Sequence, residues 1–303
     1  MRSRTAARGL SLLVVVFLLP ACSVKRMAIN MIGNALSESG STFASDDDPE
    51  LVKAAVPFGL KTMESLLAQN PRHKGLLTAA CSGFTQYSYA FVQQEADYVE
   101  AQDLQRATEM RARAKKLYLR AVGYGTRALE VDLPGFGDRL RKDPDAALAK
   151  TTRKQVPVLY YTAAAWAAAF AVDVSDSQLS VDQTLIEKMM RRALALDETW
   201  EKGSIHDFFI SWEAGHASAG GSYEKAREHF ERAKQLAGGQ RISPLVSYAE
   251  SVSVSQQNRK EFEQLLNDAL RFDVSRAAPE QRLANIIAQR RAAWLLSRAD
   301  ELF

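Results

Sequence analysis

"GSYEKAREHFERAKQLAGG", residues 221–239, decides the fold. Its Ala226, Phe230 and Ala233 recur at i, i+4 and i+7, which places them on one face of an α-helix. Helical periods of the same kind run through approximately 74–94, 96–131, 142–151, 156–173, 181–197, 201–219, 222–237, 242–256, 259–272 and 279–302. Short Gly, Pro, Asp or Asn breaks separate them, and no segment alternates as a strand would. The chain is read as all-α.

Successive helices of this length raise the possibility of an α-solenoid. The second helix of a 34-residue tetratricopeptide repeat asks for Ala-x3-Phe/Tyr-x2-Ala, which residues 226–233 supply. A weaker copy runs through Ile186, Met190 and Ala193, and another through Gly59, Met63 and Leu66 to Pro71. Taking Pro71 as a repeat end puts Leu77, Ala80, Cys81 and Phe84 at the key positions of the next first helix. The spacing drifts, so the repeats are cryptic, and an irregular helical bundle stays open as the alternative. The expected fold is an α-solenoid of cryptic TPR-like hairpins over residues 46–303. Its first long helix starts cleanly, with Asp48 at the N-cap, Pro49 at the first helical position and Glu50 behind them. Calcium binding by Asp46, Asp47 and Asp48 would need an EF-hand spacing, and none follows.

Upstream, "LLVVVFLLPACSVKR" (12–26) is a different kind of segment. The apolar run Leu10 to Leu19 is about half of the roughly 20 residues a helix needs to cross a bilayer. Arg2, Arg4 and Arg8 precede it with no acid, which is the order of a secretory signal, residues 1–21. Leu19-Pro20-Ala21-Cys22 resembles a bacterial lipobox, so Cys22 is the expected lipidation site, with residues 22–45 a lipidated tether and short helix. Stable anchoring takes more than one acyl chain. Ser23 rather than Asp after Cys22 favours, by resemblance to lipoprotein sorting signals, the outer membrane facing the periplasm.

The formal charge of +3 belongs to the three arginines of the signal, and without them the chain is neutral. A neutral chain gives no electrostatic reason to expect a nucleic-acid partner. Cys22 and Cys81 are the two cysteines, and with Cys22 committed to lipid no internal disulfide follows. Cys81 sits in an apolar helical run, where a buried inert thiol is expected.

Enzymatic motifs are missing: no His-Glu-x-x-His pair, no phosphate loop, no strand to carry a dinucleotide fingerprint. "HASAG" around Ser218 has His216 where a nucleophile elbow needs Gly. His206, Asp207 and Glu213 form the one tempting polar set, but a catalytic or metal role needs a convergent third group. No metal and no cofactor is expected. Aromatic residues form three sets on helices of corresponding rank: Phe84, Tyr87, Tyr89 and Phe91; Tyr160, Tyr161, Trp166 and Phe170; Phe208, Phe209 and Trp212. In helical-repeat proteins the concave surface is commonly the binding face. Phe84, Tyr87, Tyr161, Trp166, His206, Phe209 and Trp212 are the candidates for a ligand cleft. Arg106, Arg111, Arg113, Lys115 and Lys116, on one helix with little acidic balance, are either a solvated face or a contact for a partner.

Together, "DPELVKAAVPFGLKTMESLLAQNP" (48–71), "GLLTAACSGFTQYSYAFVQQEAD" (75–97), "AVGYGTRALEV" (121–131), "WAAAFAVD" (166–173), "EKGSIHDFFISWEA" (201–214) and "AREHFERAKQLAGG" (226–239), after a lipobox, resemble the TatT family. These are periplasmic lipoproteins associated with TRAP (tripartite ATP-independent periplasmic) transporters. The resemblance implies no activity of the chain's own. It implies a homotrimer, a passage or cleft in each protomer, and binding of the system's periplasmic solute-binding protein. It also implies a small ligand, apolar or carboxylate-bearing. Two other readings stand beside it: an envelope hydrolase using His206, Asp207 and Glu213, and a general outer-membrane assembly scaffold.

Overall fold

A computed structural model describes residues 30–36, 40–218 and 220–303 of the chain. The expected signal at 1–21 and lipidation site Cys22 lie outside the described residues. Among the described residues there is no strand. A short α1 (Gly40–Ala44) leads into α2 (Pro49–Gln69), α3 (Lys74–Ser88), α4 (Gln94–Val99), α5 (Leu104–Asp132), α6 (Phe136–Lys142) and α7 (Pro144–Ala149). Then follow α8 (Val156–Ala171), α9 (Ser177–Leu196), α10 (Ser204–Gly215), α11 (Tyr223–Ala237), α12 (Ser243–Tyr248), α13 (Arg259–Arg271), α14 (Arg282–Ser297) and α15 (Ala299–Leu302).

Side-chain caps set many of these starts. Asp48 accepts from the backbone N–H of Glu50 and Leu51, as its position before Pro49 predicts. Ser222 and Asn258 cap α11 and α13 in the same way. Three boundaries differ from the sequence reading. The helix expected over 96–131 is broken between Val99 and Leu104, where Asp103 accepts from the Arg106 N–H and starts α5 afresh. The helix expected over 142–151 belongs to two short ones, α6 and α7, parted at Asp143 because Pro144 cannot donate to a continuing ladder. Helix α9 begins at Ser177 rather than 181, since Asp176 already satisfies the N–H groups of Gln178 and Leu179.

Each helix packs on its neighbours in sequence: α3 on α5, α5 on α8, α8 on α9, α10 on α11, α13 on α14. The approach of α5 is close because it carries Gly125 at the contact. A Cβ there would stand 1.9 Å from Thr162 Oγ1 and 2.9 Å from Cys81 Sγ. Ala226, Phe230 and Ala233 are all buried, with the Phe230 ring 4.4 Å from that of Tyr248, so the predicted face of α11 is the one that meets the core. A second layer of contacts joins α3 to α8, α10 to α12 and α12 to α14.

The last long helix then returns to the first. α14 packs on α1 and α2, and Arg290 pairs with Glu50 at 2.7 Å. Arg282 donates to the Ser45 carbonyl at 3.3 Å, and Arg291 reaches Asp97 in α4 at 3.0 Å. The run of helices is thereby closed into a ring, the last long helix meeting the first.

Candidate functional site

The inside of this ring is where rings and charges from distant parts of the sequence meet. Helix α8 is apolar nearly all round, so a face remains apolar after the rest has been packed against α3, α5 and α9. It carries Tyr160 and Tyr161, both half-buried, which with Trp200 form a three-ring cluster. The centroids are 5.1 Å apart for Tyr160–Tyr161, 4.6 Å for Tyr160–Trp200 and 5.7 Å for Tyr161–Trp200. Immediately after Trp200 the backbone turns through three left-handed residues, Glu201 (φ 45°), Lys202 (φ 54°) and Gly203 (φ 87°). Only the last is a residue for which that region is cheap, and strain of this sort gathers at functional turns. Arg241 holds the turn: its Nη1 donates to the carbonyls of Glu201 at 3.0 Å and Lys202 at 3.4 Å. Its Nη2 donates to Asp207 Oδ2 and Ser243 Oγ, both at 2.9 Å. Ser243 Oγ donates to the same Oδ2 at 2.5 Å, while Asp207 Oδ1 is buried with no partner.

Two π-helical turns face this corner. Tyr89–Gln93 continues α3, and Ala249–Ser253 continues α12. Such turns insert one residue into the helical ladder and re-aim the side chains at that point. The first presents Tyr89 and the second Glu250, and the two are close enough for the Glu250 charge to raise the Tyr89 phenol. Glu250 is held by Arg291, whose Nε donates at 3.3 Å and whose Nη2 grips the other oxygen. The same guanidinium lies 4.3 Å over the Trp294 ring.

Tyr89 stands among these groups. Its ring is 48% exposed. Yet burial is the chief cause that raises its pKa, with Glu250 and Asp207 adding and Arg291 opposing. Burial likewise pushes up Tyr160, with Asp207 and Glu201 adding and Arg241 opposing, and Tyr161, with Tyr160 and Glu201 adding. Burial pushes Tyr98 up to about 12 against the pull of Arg291. All four phenols stay neutral near pH 7. Two depressions of about 430 Å³ each are present, one bordered by Tyr223, Arg227 and Gln256, the other by Lys234, Arg241 and Phe272.

Of the residues expected to line a cleft, Tyr161 is half-buried in the three-ring cluster and the others are packed between helices. Phe84 is buried and stacked on Tyr124, and Tyr87 is buried against Phe91. Trp166 is buried under the Arg141 guanidinium, and Trp212 is sandwiched by Phe208 and His216. Phe209 is fully buried against the His229 ring, and His206 shares a 2.8 Å Nδ1–Nδ1 contact with His229 between α10 and α11. Sequence reasoning missed Trp200, Arg241, Glu250 and Arg291.

A family model described as the TRAP transporter T-component, TAtT, matches residues 45–303. The chain belongs to that family. An uncharacterized protein of Treponema pallidum (strain Nichols) is 31% identical over an alignment of 303 residues that covers 93% of each chain. In this T-component the three residues weighed as a catalytic set do not converge. Glu213 is buried on Arg191 at 2.8 Å, Asp207 is bound to Arg241 and Ser243, and His206 faces His229 and Glu198. Cys81 is buried beside Thr162, and burial pushes its thiol up to about 12. Among the described residues no three His, Cys, Asp or Glu come together as metal ligands. None of the helices among them is long and apolar enough to cross a membrane.

The basic stretch of the T-component divides in two. Arg111 is bound to Glu100 and Asp97, and Lys115 to Asp173 and Asp176 at 2.7 Å each, so acids from outside the helix balance them. Arg106, Arg113 and Lys116 remain exposed.

Proposed function

We propose that the chain is a non-catalytic, lipid-anchored component of a TRAP transport system, which docks the system's periplasmic solute-binding protein and takes a small ligand with an apolar body into the ring. Acyl chains on Cys22 hold it at the outer membrane facing the periplasm, and it works as a homotrimer of TPR-like solenoids. The family membership supports the transport setting. The observation that supports the ligand role is the part-exposed cluster of Tyr160, Tyr161 and Trp200, neutral rings that can hold apolar groups without demanding a chemical step. Separate partners for His206, Asp207 and Glu213 weigh against the hydrolase reading. Arg106, Arg113 and Lys116 are exposed basic residues of that helix, placed to meet an acidic face of the partner, Arg113 with its guanidinium over the Tyr87 ring.

The test is affinity capture of the full chain from detergent-solubilised envelopes of cells that also express the TRAP components, with bound proteins identified by mass spectrometry. Recovery of a periplasmic solute-binding protein in stoichiometric amount is expected. Repeated capture without one sinks the proposal.

A further inference from the structure

The side of the molecule nearest to Cys22 is fixed by printed contacts of the first described residues. Eight residues separate Cys22 from Asn30, a span of at most about 28 Å. Asn30 is tied to the C-terminal end of α2, where Asn70 Nδ2 donates to its Oδ1 at 2.7 Å. Gly33 lies against the start of α3 so closely that a Cβ there would stand 2.8 Å from His73 Nε2. Acyl chains on Cys22 therefore bring a lipid surface within that reach of the turn between α2 and α3.

The face that α2 turns outward is suited to such a surface. Val52, Leu60, Met63 and Leu67 of this helix are buried. On the opposite side Leu51, Ala54, Ala55, Phe58 and Ser65 are exposed at helical spacing. Phe58 is 80% exposed, the most of any large apolar side chain among the described residues, and Leu51, one heptad before it, is 58% exposed. Polar atoms on this face are satisfied within the helix: the hydroxyls of Thr62 and Ser65 donate to the carbonyls of Phe58 and Lys61, at 2.9 and 3.0 Å. Lys61, exposed at the edge, has a stem long enough to keep its ammonium at headgroup level. Met31 and Ile32, beside the tether, add two more exposed apolar side chains. No helix among the described residues is apolar enough to cross a bilayer, so a one-sided face of this kind lies on one.

We propose that α2 rests on the lipid surface to which Cys22 is anchored, with Leu51 and Phe58 inserted at the boundary between headgroups and acyl chains. The inference rests on the lipid anchor proposed above, and it gives the ring one fixed orientation at the membrane. Asp47, Asp48 and Glu50 at the start of α2 offer nothing to anionic headgroups, so the hold is apolar and not ionic.

The test uses the protein purified from membranes with its lipid and reconstituted into phosphatidylcholine vesicles. With Cys22 acylated and Cys81 buried, Phe58→Cys supplies the accessible thiol for an environment-sensitive fluorophore. Val181→Cys, at an exposed apolar position of α9, is the reference. A nitroxide carried near the headgroup of the lipid is expected to quench the label at 58 at least threefold more than the label at 181. High salt and added anionic lipid should leave that ratio unchanged. Equal quenching at the two positions overturns the inference, and so does quenching at 58 that disappears in high salt. A fall in oligomer mass for Phe58→Asp in detergent also overturns it, by assigning the face to a contact between copies. The intact mass of the same sample reports the acyl chains. Acylated protein with equal quenching refutes this inference alone, and protein without acyl chains refutes the anchor and this inference together.

Discussion

Acidification should loosen the packing of α10 on α11 through His229. Burial pushes the His229 imidazole from 6.5 down to about 4, and the charges of His206 and Arg191 push in the same direction. The geometry explains why a proton is unwelcome. The two Nδ1 atoms of His206 and His229 are 2.8 Å apart, so one must carry a hydrogen and the other a lone pair, and the His229 ring is stacked on buried Phe209. Between about pH 6.5 and pH 4 the unfolded chain holds a proton at this position that the folded chain refuses. The unfolded state binds more protons there, so stability is full above 6.5 and falls as the pH drops towards 4. A fall from 6.5 to about 4 sets a ceiling of roughly 3 kcal/mol, and partial exposure of His229 reduces the expected loss to about 2 kcal/mol. Urea unfolding followed by helical circular dichroism at pH 7 and pH 4.5, on the natural chain and on His229→Gln, reads this directly. The natural chain should lose about 2 kcal/mol more than the variant across that interval. Equal pH dependence in the two proteins would refute the reasoning, since every other titrating group is common to both.

Gly125→Ala should lower the melting temperature by several degrees, because its Cβ would overlap Thr162 Oγ1 and Cys81 Sγ in a contact already closed, an overpacking cost of about 1–3 kcal/mol. Arg291→Met should cost about 3 kcal/mol in urea unfolding, since it strips the buried guanidinium partner from Glu250 and one of two from Asp97. Adding Glu250→Gln to that variant should restore part of the loss by removing the uncompensated charge.

Much of the fold was legible because helix starts and buried faces are local properties. Asp48 before Pro49, Ser222 before Tyr223, and Ala226, Phe230 and Ala233 on one face each speak within a few residues of themselves. The corner where Tyr160, Tyr161 and Trp200 meet was poorly legible for two physical reasons. Helix α8 is apolar on nearly every side, so periodicity cannot tell the face that meets α3 and α5, with Trp166, from the face that meets the interior, with Tyr160 and Tyr161. The π-helical turns compound this. An extra residue in the ladder shifts the phase of everything beyond it, so the positions after Tyr89 and Ala249 do not follow the face set by the residues before them. Arg241, Glu250 and Arg291 look like ordinary surface charges until the ring is closed, since Arg291 meets Asp97 across 194 residues of chain.

That closure also explains why the seam is ionic. An apolar contact between α14 and the first helices would be non-directional, free to slide along the helix axis by a fraction of a turn. Arg291 instead sits between Asp97 and Glu250, and Asp97 is shared with Arg111, which is fixed in turn by both oxygens of Glu100. A planar guanidinium with three bonds to two carboxylates accepts one register only. Burying such a cluster gives little net stability over an apolar seam, so what it supplies is position. The position matters here because Glu250, Tyr89 and Asp207 come from three different helices and act on one another only while the ring is shut at that register.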